Sequence, residues 1–212
     1  CLCNFLTYYA RILMISGIAK VYIIVFLSII QAEVILPPEN LENWETIQDG
    51  KIWVGWKHSR GIDWCRSKTI LEAPLADIQK SIEDAENYPK IIKSIVDTKI
   101  ITDEVVYIVV DMPFPFASRD YVVQYIIEKK ENDYIYSYYA VIHPDVPLDK
   151  SYVRLNRSSG EWRLKSIDST HTEFTYTWNG ELLGNFPTWA LPRAWKEQGI
   201  EVITGFKKAV EK

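Results

Sequence analysis

Seven short β-like runs follow one another at 97–102, 104–111, 119–129, 133–143, 151–157, 161–167 and 172–178, and a single long amphipathic helical pattern follows at 187–212. Short strands in succession, separated by polar or proline-bearing turns, favour a strongly curved antiparallel meander. The last two runs show the clearest two-residue period. Trp162 and Leu164 share one face with Phe174, Tyr176 and Trp178 expected opposite, while Arg163, Lys165, Glu173, Thr175 and Thr177 point the other way. One face is expected to be buried and the other wet. The helical pattern sets Trp195, Val202, Ile203, Phe206, Ala209 and Val210 on one stripe, which must lie on the apolar face of the sheet. Gly199 and Gly205 within it cost about 1 kcal/mol each relative to alanine, so close packing or a local bend is expected to compensate.

The first half opens with a hairpin, 51–57 and 63–71, turning near Ser59 and Gly61. A helix starts at Ala73-Pro74, where proline suits a first turn, and carries Leu75, Ile78, Ile82 and Ala85 on one stripe. Asn87-Tyr88-Pro89 ends it, and a second helical piece is expected at 90–95. The predicted class is α+β: a curved antiparallel sheet wrapped around a long C-terminal helix, with short helices after the second strand.

The stretch before residue 33 reads separately. Lys20, an apolar run at 21–30 and the small Ala32 give signal-peptide grammar over 14–32, with cleavage after Ala32 favoured over an uncleaved anchor. Residues 1–13 read as an upstream extension, 33–43 as a linker containing Pro37-Pro38, and 44–212 as the folded domain. Periplasmic or secreted localisation is the expectation. With Cys1 and Cys3 in the extension, Cys65 remains as a small packed side chain and no disulfide framework exists. Hydrophobic residues at 48% and a net charge of −4 suit a substantial core and disfavour nucleic acid as a partner.

Between two strand runs lies Asp111-Met-Pro-Phe-Pro-Phe-Ala-Ser-Arg-Asp-Tyr-Val-Val123. Pro113 and Pro115 cannot donate to a ladder, so this apolar segment is a loop or an edge, and Phe114 and Phe116 cover either core or ligand. Arg119 and Asp120 point to opposite faces and each needs another partner. Arg119 either bonds loop carbonyls or contacts a ligand head group, and Arg154 has Asp111 or Glu173 among its candidate partners.

Particular words, set in this order of elements, resemble the START lipid-transfer family of the helix-grip superfamily: Gly61-Ile-Asp-Trp-Cys-Arg-Ser-Lys68, Asn87-Tyr-Pro89, Ser118-Arg-Asp-Tyr121 after its proline-rich approach, Tyr152-Val-Arg-Leu155, and Thr177-Trp178 with Gly184, Pro187 and Pro192. The resemblance implies a deep hydrophobic cavity between sheet and C-terminal helix that shelters one lipid. Some steroid-handling relatives carry a further arginine deeper along the strand after the Arg-Asp word, where this chain has Gln124 and Tyr125, so no sterol preference is implied.

The expected ligand-binding set is Tyr107, Phe114, Phe116, Arg119, Tyr121, Val123, Tyr125 and Tyr138 from loop and strands, with Trp178, Trp195, Val202 and Phe206 as floor and lid. The protein is expected to be a monomeric lipid binder with transient membrane contact, no metal and no cofactor. His58, His143 and His171 occur alone near turns and strand ends, and no zinc spacing, nucleophile elbow or phosphate loop is present. The alternatives are a cyclase- or aromatase-like enzyme of the same superfamily, or a non-catalytic interaction module with a filled core.

Overall fold

Alternating side chains along the strands give the molecule an aromatic inner face, and a long helix covers it. The computed structural model describes residues 34–39, 42–130 and 133–211. The leader expected at 14–32 and the extension before it lie outside these residues. Strands β1 (Glu45–Gln48), β2 (Trp53–Ser59) and β3 (Ile62–Leu71) lead into helix α1 (Leu75–Glu83), a 3-10 turn (Ala85–Asn87) and helix α2 (Tyr88–Ile91). Then come β4 (Ile95–Thr102), β5 (Val105–Val110), β6 (Arg119–Lys130), β7 (Asp133–Ala140), β8 (Val153–Arg154), β9 (Ser159–Ser166) and β10 (Thr172–Asn179). A second 3-10 turn (Thr188–Ala190) precedes helix α3 (Leu191–Val210). The strands form one sheet in the order β1-β2-β3-β10-β9-β7-β6-β5-β4, with β8 on β6.

The expected pairing of the last two long strands holds, since Trp162 faces Tyr176 and Leu164 faces Phe174. Trp162 stacks on Tyr176 at 4.0 Å and packs against Phe206 of α3 at 5.1 Å between ring centroids. Cys65 is fully buried on the same inner face, and burial raises its thiol pKa well above the ordinary range.

Both helix glycines are explained by close packing. A Cβ on Gly199 would lie 3.2 Å from the Ser67 and Trp178 side chains, and one on Gly205 would run into the Ile91 carbonyl of α2. The helix therefore trades intrinsic propensity for backbone-close contact with the sheet and with α2.

Three expectations need correction. The run at 151–157 is a two-residue bridge, and it pairs parallel to β6 because the chain leaves the sheet after β7 and re-enters in the direction of β6. The second helical piece is Tyr88–Ile91 rather than 90–95, since Pro89 fits a first turn and Ile95 already begins β4. The outer face is not uniformly wet: Trp64, Thr175, Thr177 and Asp120 are buried there. Part of its cover is the segment expected as a linker, where Pro37 is buried and Asn43 O accepts from Lys57, and next to it the Arg66 guanidinium lies over the Trp44 ring.

Candidate ligand cavity

Two loops meet over the inner face at one end of α3. The β5–β6 loop (111–118) carries the prolines, and its Phe116 packs on Phe186 of the β10–α3 loop (180–190) with centroids 4.8 Å apart. Arg119, 2% exposed at the start of β6, joins the same two loops. Its guanidinium donates to Leu182 O at 2.9 Å, to Leu183 O at 3.0 Å and to Ala117 O. Between the two readings of Arg119 left open by the sequence, the structure shows bonding to loop carbonyls.

Asp120 points the opposite way and finds Arg154 of β8 rather than any partner on its own strand. Arg154 Nε and Nη2 reach the two Asp120 oxygens at 2.9 and 2.7 Å, and Tyr107 Oη donates to Asp120 Oδ2 at 3.3 Å. Neither Asp111 nor Glu173 fills the role expected of an Arg154 partner. This hydrogen-bonded pair holds the Arg154 pKa above its ordinary value and pins the segment 141–158 to the sheet.

Beneath the loops, between the sheet and the first turns of α3, is a cavity of about 350 Å³. Met112, Phe116, Arg119, Tyr121, Tyr138, Trp178 and Phe186 contribute to its wall, together with Ala194 and Gln198 of the helix. A smaller hollow of about 30 Å³ shares Tyr121, Tyr138, Tyr176 and Gln198 with it and adds Tyr88, Tyr125 and Val202. A chain that buries this much aromatic surface yet leaves such a space unfilled has the form of a ligand site.

The START domain model matches residues 25–212. The chain belongs to the START domain family. An uncharacterized protein of Pseudomonas aeruginosa is 25% identical over 178 residues, which are 81% of this chain and 88% of that protein. A STAR-related lipid transfer protein fragment from Xanthomonas axonopodis has a TM-score of 0.70 at 23% identity, covering 81% of this chain and 100% of that one. Human StAR-related lipid transfer protein 5 has a TM-score of 0.71 at 18% identity, covering 79% and 86%. At these identities the solved structures show the shared helix-grip fold, and family membership supports a hydrophobic ligand-binding role.

Within this START domain the expected residues divide into three groups. Phe116, Arg119, Tyr121, Tyr138 and Trp178 line the cavity, and Tyr125 and Val202 line the adjoining hollow. Val123, Trp195 and Phe206 are packed in the core instead, with Trp195 Nε1 donating to Gly180 O at 2.8 Å. Tyr107 and Phe114 need correction. Tyr107 pairs with Val122 across β5–β6 and therefore lies on the outer face with Asp120, while Phe114 is 97% exposed at the tip of its loop.

Sequence reasoning missed the wall that α3 contributes. Ala194, Glu197, Gln198 and Glu201 recur at helical spacing and all line the cavity, but following only the apolar stripe of α3 passes over them. Glu201 accepts from Ser94 N at 2.6 Å and Glu197 from Arg193 at 2.8 Å, while Asp111 accepts from Ser118 at 2.8 Å. Among the described residues no group of three His, Cys, Asp or Glu is placed to hold a metal ion.

The inner end is phenolic. Tyr138 Oη and Tyr176 Oη lie 3.1 Å apart, and Gly160 makes room for this pair because its Cβ would fall 2.5 Å from the Tyr138 hydroxyl. Burial pushes the Tyr125 phenol up to about 12 and holds those of Tyr88, Tyr121 and Tyr138 well above the ordinary value of 10.0. A phenol raised in this way keeps its proton in the fold while the unfolded chain releases it. Its contribution to stability is therefore full below about pH 10 and is lost as pH rises through 12 and beyond. Alkaline titration is expected to show the tyrosinate absorbance of these buried phenols rising in one cooperative step with loss of near-ultraviolet dichroism. Complete ionisation of the tyrosines in a chain that keeps its dichroism would contradict this account.

Proposed function

We propose that the protein binds a lipid or similar hydrophobic molecule in this cavity and carries it, without covalent chemistry, between membranes across an aqueous compartment. The observation that carries the reading is the hollow of about 350 Å³ beneath two loops that a buried arginine ties together. Each Å² of apolar ligand surface removed from water favours binding by about 25 cal/mol before ordering costs are subtracted. Reversible opening of the loops would admit and release the guest.

Two exposed aromatics suit contact with a membrane. Phe114 is 97% and Trp189 84% exposed, and each sits in one of the cavity-covering loops. Such side chains are at home in the interfacial layer of a bilayer. The signal-peptide grammar of the sequence over 14–32 supports export as the setting, and recovery of the protein with the cytosol in cell fractionation would overturn that placement.

Organic extracts of natively purified protein, read by mass spectrometry, test the binding reading. One recurrent apolar molecule near stoichiometric amount is expected. Ala194→Trp, which fills the cavity from α3, should reduce it about tenfold with little change in melting temperature. The double change Phe114→Ser and Trp189→Ser should retain ligand in solution but exchange it with vesicles several-fold more slowly. An empty protein that no lipid stabilises against heat would sink the proposal.

A further inference from the structure

Resting on the lipid-binding reading, we infer that the inner end of the cavity selects ligands bearing a neutral hydrogen-bonding oxygen, a ketone, ester or alcohol, over bare hydrocarbon and over carboxylate. Tyr138 and Tyr176 are each 6% exposed and both line the cavity and its adjoining hollow. Their hydroxyls share one hydrogen bond at 3.1 Å, so whichever one accepts it keeps its own proton to donate elsewhere. The Tyr121 hydroxyl and the Gln198 amide line the same two spaces, and neither has a hydrogen-bond partner among the described residues. Donors are thus gathered where the surroundings are aromatic and aliphatic. An oxygen atom brought there satisfies groups that a hydrocarbon would strip of water and leave unpaired.

The same wall disfavours an anion. Among the described residues no lysine, arginine or histidine lines the adjoining hollow, and Arg119 at the mouth is already engaged by three carbonyls. The mouth itself carries Asp111, Glu181, Glu197 and Glu201 against Arg119 and Arg193, with Arg157 paired to Glu181 at 3.3 Å, which leaves four carboxylates to three guanidinium groups. A carboxylate would therefore lose its hydration without gaining a counter-charge at the inner end, and would meet surplus negative charge at the outer one.

A matched series of decane, decanone, decanol and decanoate tests this, with binding followed by quenching of tryptophan fluorescence, since Trp162 and Trp178 lie in the cavity walls. Decanone and decanol are expected to bind about tenfold more tightly than decane and decanoate, the worth of about one hydrogen bond. The double variant Tyr138→Phe/Tyr176→Phe keeps both rings, and should bring the preference over decane to about twofold, with decane bound somewhat more tightly because no phenol is left unpaired beside it. Gln198→Met, at the helical wall, supplies a second test should the tyrosine variant fail to fold; it should narrow the same preference. Equal affinity for decane and decanone, tightest binding of decanoate, or a preference that survives both variants overturns the inference and leaves lipid binding standing. Failure of every probe to bind overturns both.

Discussion

Asp120→Ala is expected to lower unfolding free energy by about 3–5 kcal/mol, the cost of leaving a largely buried charge without its partner. Asp120 is completely buried and takes a two-pronged bond from Arg154, whose side chain is only 15% exposed, as well as a bond from Tyr107. Removing it leaves the guanidinium with the Pro147 carbonyl alone and unpairs the phenol. In a chain of this size that corresponds to a fall in melting temperature of roughly 6–20 °C. The double variant Asp120→Ala/Arg154→Met should recover a large part of the loss, because no unpaired charge remains. Urea denaturation of the two single variants and the double variant measures the coupling. A loss under about 1 kcal/mol for Asp120→Ala would mean that the pair does not hold the 141–158 segment, whose Leu155 and Ser158 line the cavity.

Arg119→Met is expected to cost about 2–4 kcal/mol and, with it, closure of the cavity. The methionine retains much of the side-chain bulk, but three carbonyls, those of Ala117, Leu182 and Leu183, lose a charged donor. These carbonyls belong to the two covering loops, so local opening should become more frequent than global unfolding. Amide exchange is expected to quicken at 112–118 and 182–190 while the inner strands stay protected, and ligand release should speed up about tenfold or more. Arg119→Lys should restore less than half of the loss, since an ammonium cannot span three carbonyls as a planar fork does. Unchanged exchange in both loops would show that Phe116 against Phe186 suffices to keep them together.

Where the sequence was legible, side chains alternated in chemistry as well as in direction. Strands β9 and β10 set tryptophan, leucine, phenylalanine and tyrosine against arginine, lysine, glutamate and threonine, so their inner face could be read directly. Strand β5 reads Val-Val-Tyr-Ile-Val-Val, apolar at every position, and period two has nothing to act on, so the sequence does not tell that Tyr107 lies away from the cavity. Phe114 and Phe116 are chemically identical and each follows a proline, and only the position of Phe186, far along the chain, decides that the second turns inward. The acidic side chains of α3 resemble an ordinary wet helix face until the sheet curves beneath them. Arg154 found Asp120 through a parallel bridge that no local pattern announces.

The pairing of β3 with β10, from Leu71 against Thr172 to Trp64 against Asn179, carries a consequence for biosynthesis. A nascent chain exposes one edge of its opening hairpin for as long as the ribosome has not delivered the final strand. Contacts of such long sequence separation form late and slowly. The emerging polypeptide must then be shielded from self-association, and its dependence on holdase chaperones should exceed that of a helical protein of equal length.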